Sequence, residues 1–163
     1  MISAEQLREA LHYDPGTGIF TWLKKVSAKT VIGRRAGTIN KDGYRQISIY
    51  GRRYYEHRLA WFYMTGQWPS ALIDHENLLP GDNRWSNLRS ATKSQNAANT
   101  HVSAGNSVGM KGVSWHSGAQ KYQAHICVDG KSIYLGLFEK ADAAHAAYQQ
   151  AANDQFKSFA RAA

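Results

Sequence analysis

Apolar residues recur along this chain with two periods that alternate from segment to segment. Ser3-Ala4-Glu5-Gln6 is a capping-box pattern, and Leu7 and Leu11 stand one helical turn apart, which predicts a short helix over about 4–11. Asp14-Pro15-Gly16 is a turn signal that ends it. Period-2 patterning follows. Gly18–Leu23, Ala36–Asn40, Tyr44–Tyr50 and Arg53–Glu56 read as strands, separated in part by Lys41-Asp42-Gly43 and Gly51, which are hairpin chemistry. Within Tyr44–Tyr50, Tyr44, Gln46, Ser48 and Tyr50 share one face, and Arg45, Ile47 and Ile49 the other. The period then changes. Leu59, Phe62 and Tyr63 cluster on one face of a helix over His57–Thr65, which Gly66 and Pro69 stop.

Ala71–Asp74 is a short apolar strand, followed by a loop rich in Asn, Pro and Gly. Leu88–Ala91 returns as its partner strand. Thr92-Lys93-Ser94-Gln95 is a second capping box and starts a helix at Lys93 that runs to about residue 100. Val102–Val108 is rich in Ser, Gly and Asn and reads as a linker. Three period-2 strands follow, Gly112–His116, Lys121–Val128 and Ser132–Leu137, with Asp129-Gly130 as a hairpin turn. Glu139–Asn153 is an Ala-rich helix whose Ala141, Ala144, Ala147 and Ala151 let it lie close to a three-stranded sheet. The fold class expected is α+β. Residues 1–56 form a basic β-rich region, 57–101 a strand–loop–strand–helix core, 102–109 a linker, 110–156 a sheet-and-helix module and 157–163 a tail.

Composition narrows the function. The chain has 163 residues, 43% of them hydrophobic and 12% aromatic, which suits one ordinary domain or two small ones with packed cores. No apolar run approaches the roughly 20 residues of a membrane helix. The first residues carry no apolar signal core, so a cytoplasmic protein is expected. Cys127 is the only cysteine, which excludes an internal disulfide and a multi-cysteine structural zinc site. The net charge is +8 and the pI about 9.7, which favours a polyanionic partner, nucleic acid before membrane. Between Lys24 and Arg53 stand nine basic residues against one acid, Asp42, with Trp22, Tyr44, Tyr50, Tyr54 and Tyr55 at or between them. A solvated basic face would explain the charge alone; the interleaved aromatics favour a nucleic-acid surface, with Arg34, Arg35, Arg52 and Arg53 as phosphate contacts.

The stretch Ile73–Asn96 concentrates Asp, His, Asn and Arg. Each alone is a common turn former. Together they supply what phosphodiester hydrolysis needs: a base for water, neutralisation of phosphate charge and help for the leaving oxygen. His75 suits the base because a histidine titrates near neutrality. Asp74 and Asn96 suit a hard divalent cation, Mg2+ first and Mn2+ as an alternative, which takes oxygen ligands and keeps several waters. Adjacent strand residues face opposite ways, so Asp74 and His75 can share a site only where the strand gives way to the loop. Asn87 would bond across that loop. Asp82-Asn83-Arg84 would shape its far side. Arg58, Arg84 and Arg89 could each clamp phosphate, with Arg84 also bracing the loop. His57 could touch phosphate; the preferred reading is a partly buried histidine that joins its helix to the core.

His57-Arg58-Leu59, Asp74-His75, Asp82-Asn83-Arg84, Asn87-Leu88-Arg89 and Asn96 together resemble the HNH nuclease family, in the branch of phage homing endonucleases. The resemblance implies a ββα-metal core with His75 as general base, Asp74 and Asn96 as metal ligands and Asn87 as the loop-fixing residue. One departure is Leu78 after Asn77, where the family often has glycine. Further on, Gly112-Val113-Ser114-Trp115, Tyr122-x-Ala124, Tyr134-Leu135-Gly136-x-Phe138 and Ala143-Ala144-x-x-Ala147-Tyr148 resemble an AP2 DNA-binding domain over about 110–154. That family reads the major groove with the exposed face of its sheet. The alternation independently selects the same face: Ser114, His116, Lys121, Gln123, His125, Ser132 and Tyr134 point away from the helix, with Lys111 near an edge. Plant members present several arginines there, and this chain does not. Val113, Trp115, Ile126, Leu135, Phe138 and Tyr148 are assigned to the core.

The function expected is a metal-dependent DNA endonuclease of homing type, acting on double-stranded DNA to leave 5′-phosphate and 3′-hydroxyl ends. One active site per chain favours a monomer that nicks, with pairing into a dimer as the route to double-strand cleavage. The alternative is a sequence-specific DNA-binding protein with an inactive core. An RNA-binding module is a third reading.

Overall fold

The computed structural model describes residues 1–161, so the end of the expected tail, 162–163, lies outside the described residues. The protein is a mixed α+β chain with four α-helices and four small sheets among the described residues. Its internal contacts divide it into two compact units, Met1–Ser90 and Ala91–Ala163. That division falls ahead of the 102–109 segment in which the sequence places a linker.

In the first unit, helix α1 (Ala4–Ala10) carries both bonds of its capping box: Gln6 N donates to Ser3 Oγ (3.1 Å) and Ser3 N to Gln6 Oε1 (3.0 Å). The helix is shorter than its pattern suggests. Residues Leu11–Asp14 instead form strand β1, antiparallel to β2 (Ile19–Trp22) with Leu11 opposite Trp22. Leu11 fits both the helical repeat with Leu7 and the alternation with Tyr13, and pairing with β2 decides between them. Strands β3 (Thr38–Ile39), β4 (Arg45–Ile49) and β5 (Arg52–Tyr55) form a second sheet in that order. Ile47 and Ile49 are buried and Ser48 is exposed, as alternation requires. Helix α2 (Glu56–Thr65) buries Leu59, Ala60 and Phe62 and ends at Gly66, whose left-handed φ of 73° lets its N–H reach Phe62 O. Strands β6 (Leu72–His75) and β7 (Leu88–Ala91) pair beside it. One core joins these pieces, with Leu7, Leu11, Tyr13, Phe20, Ile47 and Leu59 fully or almost fully buried.

The β1–β2 turn is locked onto the loop between β6 and β7. Tyr13 Oη donates to Asn83 O (2.7 Å) and Trp85 N to Pro15 O (2.9 Å). Gly18 sits at φ +72°, and a Cβ there would lie 2.3 Å from both Asn83 C and Arg84 N.

The second unit opens with α3 (Lys93–Ala98), whose capping box joins Thr92 and Gln95. Strands β8 (Val113–His116), β9 (Lys121–Val128) and β10 (Lys131–Phe138) form an antiparallel sheet in the order β10-β9-β8. Helix α4 (Ala141–Phe156) packs on it through Ala144, Tyr148, Ala152 and Phe156, which meet Val113, Ala124 and Ile126. A bulge in β10 shifts the register between Tyr134 and Gly136. Trp115 is not in this core. It is 44% exposed and packs edge-on against Tyr122 opposite, because Val113 is where β8 meets the helix.

Gly18→Ala is expected to destabilise the first unit by more than about 1 kcal/mol, since backbone crowds the new methyl and its φ is left-handed. Chemical denaturation measures this; an unchanged midpoint would show that the turn and the loop are not locked.

Candidate active site

Asp74 and His75 close strand β6, and both are almost fully buried, at 3% and 6% exposure. The chain leaves the strand at once: Leu78 N donates to His75 O (2.9 Å), and Glu76 N to Asn87 O (3.0 Å). Leu78 takes φ 63°, a left-handed backbone in the position where glycine was expected from the resemblance. The departure in sequence therefore leaves the turn intact.

The loop is tied to itself by side chains. Asn87 Oδ1 accepts from Asn77 N (3.0 Å) and its Nδ2 donates to Asp82 O (2.7 Å), so this one amide spans the loop. Asn77 Nδ2 donates to Asp82 Oδ2 (2.6 Å). Arg84 forks onto Asp82 through Nε (2.8 Å) and Nη2 (2.6 Å), which pulls the Asp82 carboxyl down to about 2.

The two buried acid–base residues have distinct surroundings. Arg89 Nε donates to Asp74 Oδ2 (2.8 Å), and Arg89 Nη1 lies 3.6 Å from Glu76. His75 Nε2 lies 2.9 Å from Asn83 Oδ1, and Asn83 Nδ2 donates to Glu56 Oε2 (2.7 Å). Glu56 has no exposed surface; its Oε1 has no hydrogen-bond partner among the described residues, and Arg45 Nε lies 3.8 Å from Oε2. Burial drives the Glu56 carboxyl up to about 7. Burial lowers His75 below its usual range, against the opposing pull of Asn83 and Asp74, so the imidazole is neutral near pH 7. His57 lies beside it, ring centroids 5.1 Å apart, between Tyr44 and Tyr55. Its Nδ1 has no partner among the described residues, and burial pulls it down to about 3. His57 is thus a buried, neutral ring within the first unit's polar centre.

The structure places the remaining sequence candidates variously. Arg58 donates to Pro69 O and Ala71 O and braces the chain after α2. Arg34, Arg35, Arg52 and Arg53 are exposed. Asn96 lies half-buried on α3, in the second unit. Lys111 Nζ donates to the carbonyls of Ala97, Ala98 and Thr100, a cation at the end of α3 rather than a side chain extended into solvent. On the C-terminal sheet, Ser114 and Gln123 are paired and bonded (3.0 Å), and the His125 and Tyr134 rings lie 5.2 Å apart. Ser132 stands opposite Cys127, His116 opposite Lys121, and Lys121 pairs with Glu139.

Two residues escaped the sequence reading, Glu56 and the inward side of Asn83. A signal existed. Arg45 shares a strand face with Ile47 and Ile49, so its charge turns inward and needs an acid, and Glu56 is the one acid between Asp42 and Asp74.

Asp74 offers a hard oxygen donor, with its Oδ2 held by Arg89, of the kind taken by a divalent cation that keeps most of its water. Among the described residues, no group of three or more His, Cys, Asp or Glu gathers as a metal site. No helix among them is long and apolar enough to cross a membrane.

Residues 54–98 match the HNH endonuclease family model, a span that takes in α2, β6, the loop, β7 and α3. Among curated proteins none matches the chain. The match supports a nuclease domain in this part of the chain, with DNA as its substrate and a divalent metal as the general requirement of such domains.

The pH dependence of stability tests the buried pair. His57 stays neutral in the folded protein down to about 3, against 6.5 when unfolded, so its contribution is lost as pH falls below 6.5. Glu56 holds its proton up to about 7, against 4.5 when unfolded, so its contribution is present below 4.5 and is lost as pH rises to 7. Between pH 4.5 and 6.5 the two slopes oppose. Glu56→Gln should remove one of them, so that stability climbs with pH across this window by up to about 1.4 kcal/mol per unit. Urea titrations at three pH values, in both proteins, measure it; parallel profiles would contradict the burial argument.

Proposed function

We propose that this protein is a metal-dependent DNA endonuclease of the homing type, in which His75 activates water. The single observation that carries this reading is the buried Asp74–His75 pair at the end of β6, held by a loop that Asn87 spans, inside the segment that matches the HNH endonuclease family. Burial keeps the imidazole neutral, so it can take a proton from water at neutral pH. Asp74 and Asn96 are the proposed ligands of Mg2+ or Mn2+, with Asn96 assigned from the sequence pattern alone. A divalent ion bound there would supply charge neutralisation at the phosphate and the leaving 3′ oxygen. Products would carry 5′-phosphate and 3′-hydroxyl ends. Arg89, bonded to Asp74, holds that carboxylate in place and brings positive charge beside the scissile phosphate.

Affinity for DNA is assigned to the exposed Arg34, Arg35, Arg52 and Arg53, with Arg84 at the loop. The C-terminal module is proposed to be AP2-like and to present Ser114, Gln123, His125, Ser132 and Tyr134 to base edges. A DNA-binding protein with an inactive core is the competing reading, and the complete Asp74, His75 and Asn87 set disfavours it.

Incubation of supercoiled plasmid with the protein and Mg2+ should yield nicked or linear DNA whose ends a ligase can rejoin. His75→Ala should reduce that rate by roughly 10²- to 10⁴-fold while leaving DNA affinity nearly unchanged. Wild-type cleavage by His75→Ala would remove His75 from this role, and a wild-type protein that binds plasmid without cutting it would favour the inactive-core reading.

A further inference from the structure

The buried chain of groups behind His75 has a direction. Asn83 bridges Glu56 and His75, and its amide has one acceptor end and one donor end. Nδ2 faces Glu56 Oε2, so Oδ1 faces His75. A carbonyl oxygen only accepts, which requires the proton of neutral His75 to sit on Nε2 and leaves the lone pair on Nδ1. The reverse orientation would set Asn83 Oδ1 against Glu56 Oε2. That pairing needs a proton on Oε2, the oxygen nearer the Arg45 guanidinium at 3.8 Å. A positive neighbour disfavours a proton there. With Glu56 ionised, or neutral with its proton on Oε1, Oε2 accepts in the same way. The arrangement therefore holds with Glu56 ionised, and with Glu56 neutral when its proton sits on Oε1.

The backbone is fixed as firmly as the amide. Tyr13 Oη holds Asn83 O, and Gly18 packs against the Asn83–Arg84 peptide. Asn83 itself is 1% exposed, so water cannot compete for its amide.

We infer that Glu56 and Asn83 form a buried clamp that fixes His75 as its Nε2–H tautomer and so selects Nδ1 as the proton-accepting nitrogen. Both are positioning residues that act through His75; the catalytic meaning of the clamp rests on the nuclease reading above, whereas the tautomer itself does not.

Long-range 1H–15N spectra of labelled protein, with His75 assigned by comparison with His75→Gln, report the tautomer directly. Wild-type His75 should appear as Nε2–H alone; an Nδ1–H form or a mixture overturns the clamp without any variant. Asn83→Leu should give mixed tautomers and lose rate on the order of 10- to 100-fold, with DNA affinity changed by less than about twofold. A folded Asn83→Leu that keeps the single tautomer also overturns it. The paired exchange of Glu56→Gln with Asn83→Asp reverses the polarity of one bond: the new amide donates to the new carboxylate, which still accepts from His75. That double variant should restore the single tautomer and most of the rate, a rescue that a merely space-filling role would not produce. A protein that shows the single tautomer, loses it in Asn83→Leu and never cuts DNA supports the clamp and refutes the nuclease reading.

Discussion

A carboxyl group with no exposed surface is the constraint on which the first unit depends. Glu56 opens α2, where the helix's N-terminal end favours negative charge, but burial works against ionisation and the carboxyl is pushed up to about 7. A hydrogen bond from Asn83 and the positive charges of Arg35 and Arg45 make the position tolerable. Arg45 reaches it from the inner face of β4, and Asn83 donates to it from the loop. Three elements distant in sequence thus converge on one oxygen. The loop that carries Asn83 is then fixed relative to the sheet and helix beneath it, and His75 is fixed relative to the loop. A buried polar network of this kind holds geometry only while each member keeps its partner, which explains why the hairpin β1–β2 also fastens to Asn83 through Tyr13 and Gly18.

The loop between β6 and β7 shows how chemistry and folding share residues. Asn77, Asp82 and Asn87 use their side chains to satisfy backbone and one another, as such residues do in turns generally. The consequence is specific, because the turn begins at His75 O. The strand ends there, so the loop starts directly after Asp74 and His75, which bond to different partners, Arg89 and Asn83. Leu78 supplies the left-handed residue of that turn, so here the bonds of the loop over-determine a backbone that glycine would adopt more easily.

The second unit is built on packing rather than on buried charge. Small residues on α4 bring it close to the sheet, and Tyr148 fills the space beneath Gly112, where a Cβ would collide with its ring. The bulge in β10 is what lets Leu135 and Phe138 both turn toward the helix although they are three residues apart, and it sends Leu137 to the open face, 40% exposed.

Local patterns were legible from the sequence because they depend on local physics. Both capping boxes, the strands Leu88–Ala91 and Lys121–Val128, and the alternation of β4 follow from side chains acting on backbone a few residues away. The ordered set from Asp74 to Arg89 also announced itself, since its residue types and spacing are unusual for a plain turn. The rest was decided by contacts between distant segments. Leu11 joined a strand because Trp22 lies opposite it, and Trp115 escaped the core because the helix meets β8 at Val113. Lys111 was drawn to the carbonyls that end α3. Glu56 read as the end of a strand and Asn83 as a loop former; only the tertiary structure brings them 2.7 Å apart and places His75 on the far side of the amide. The direction of that hydrogen bond, and with it the nitrogen of His75 that carries the proton, depends on which groups are excluded from water together, and burial is a property of the folded chain.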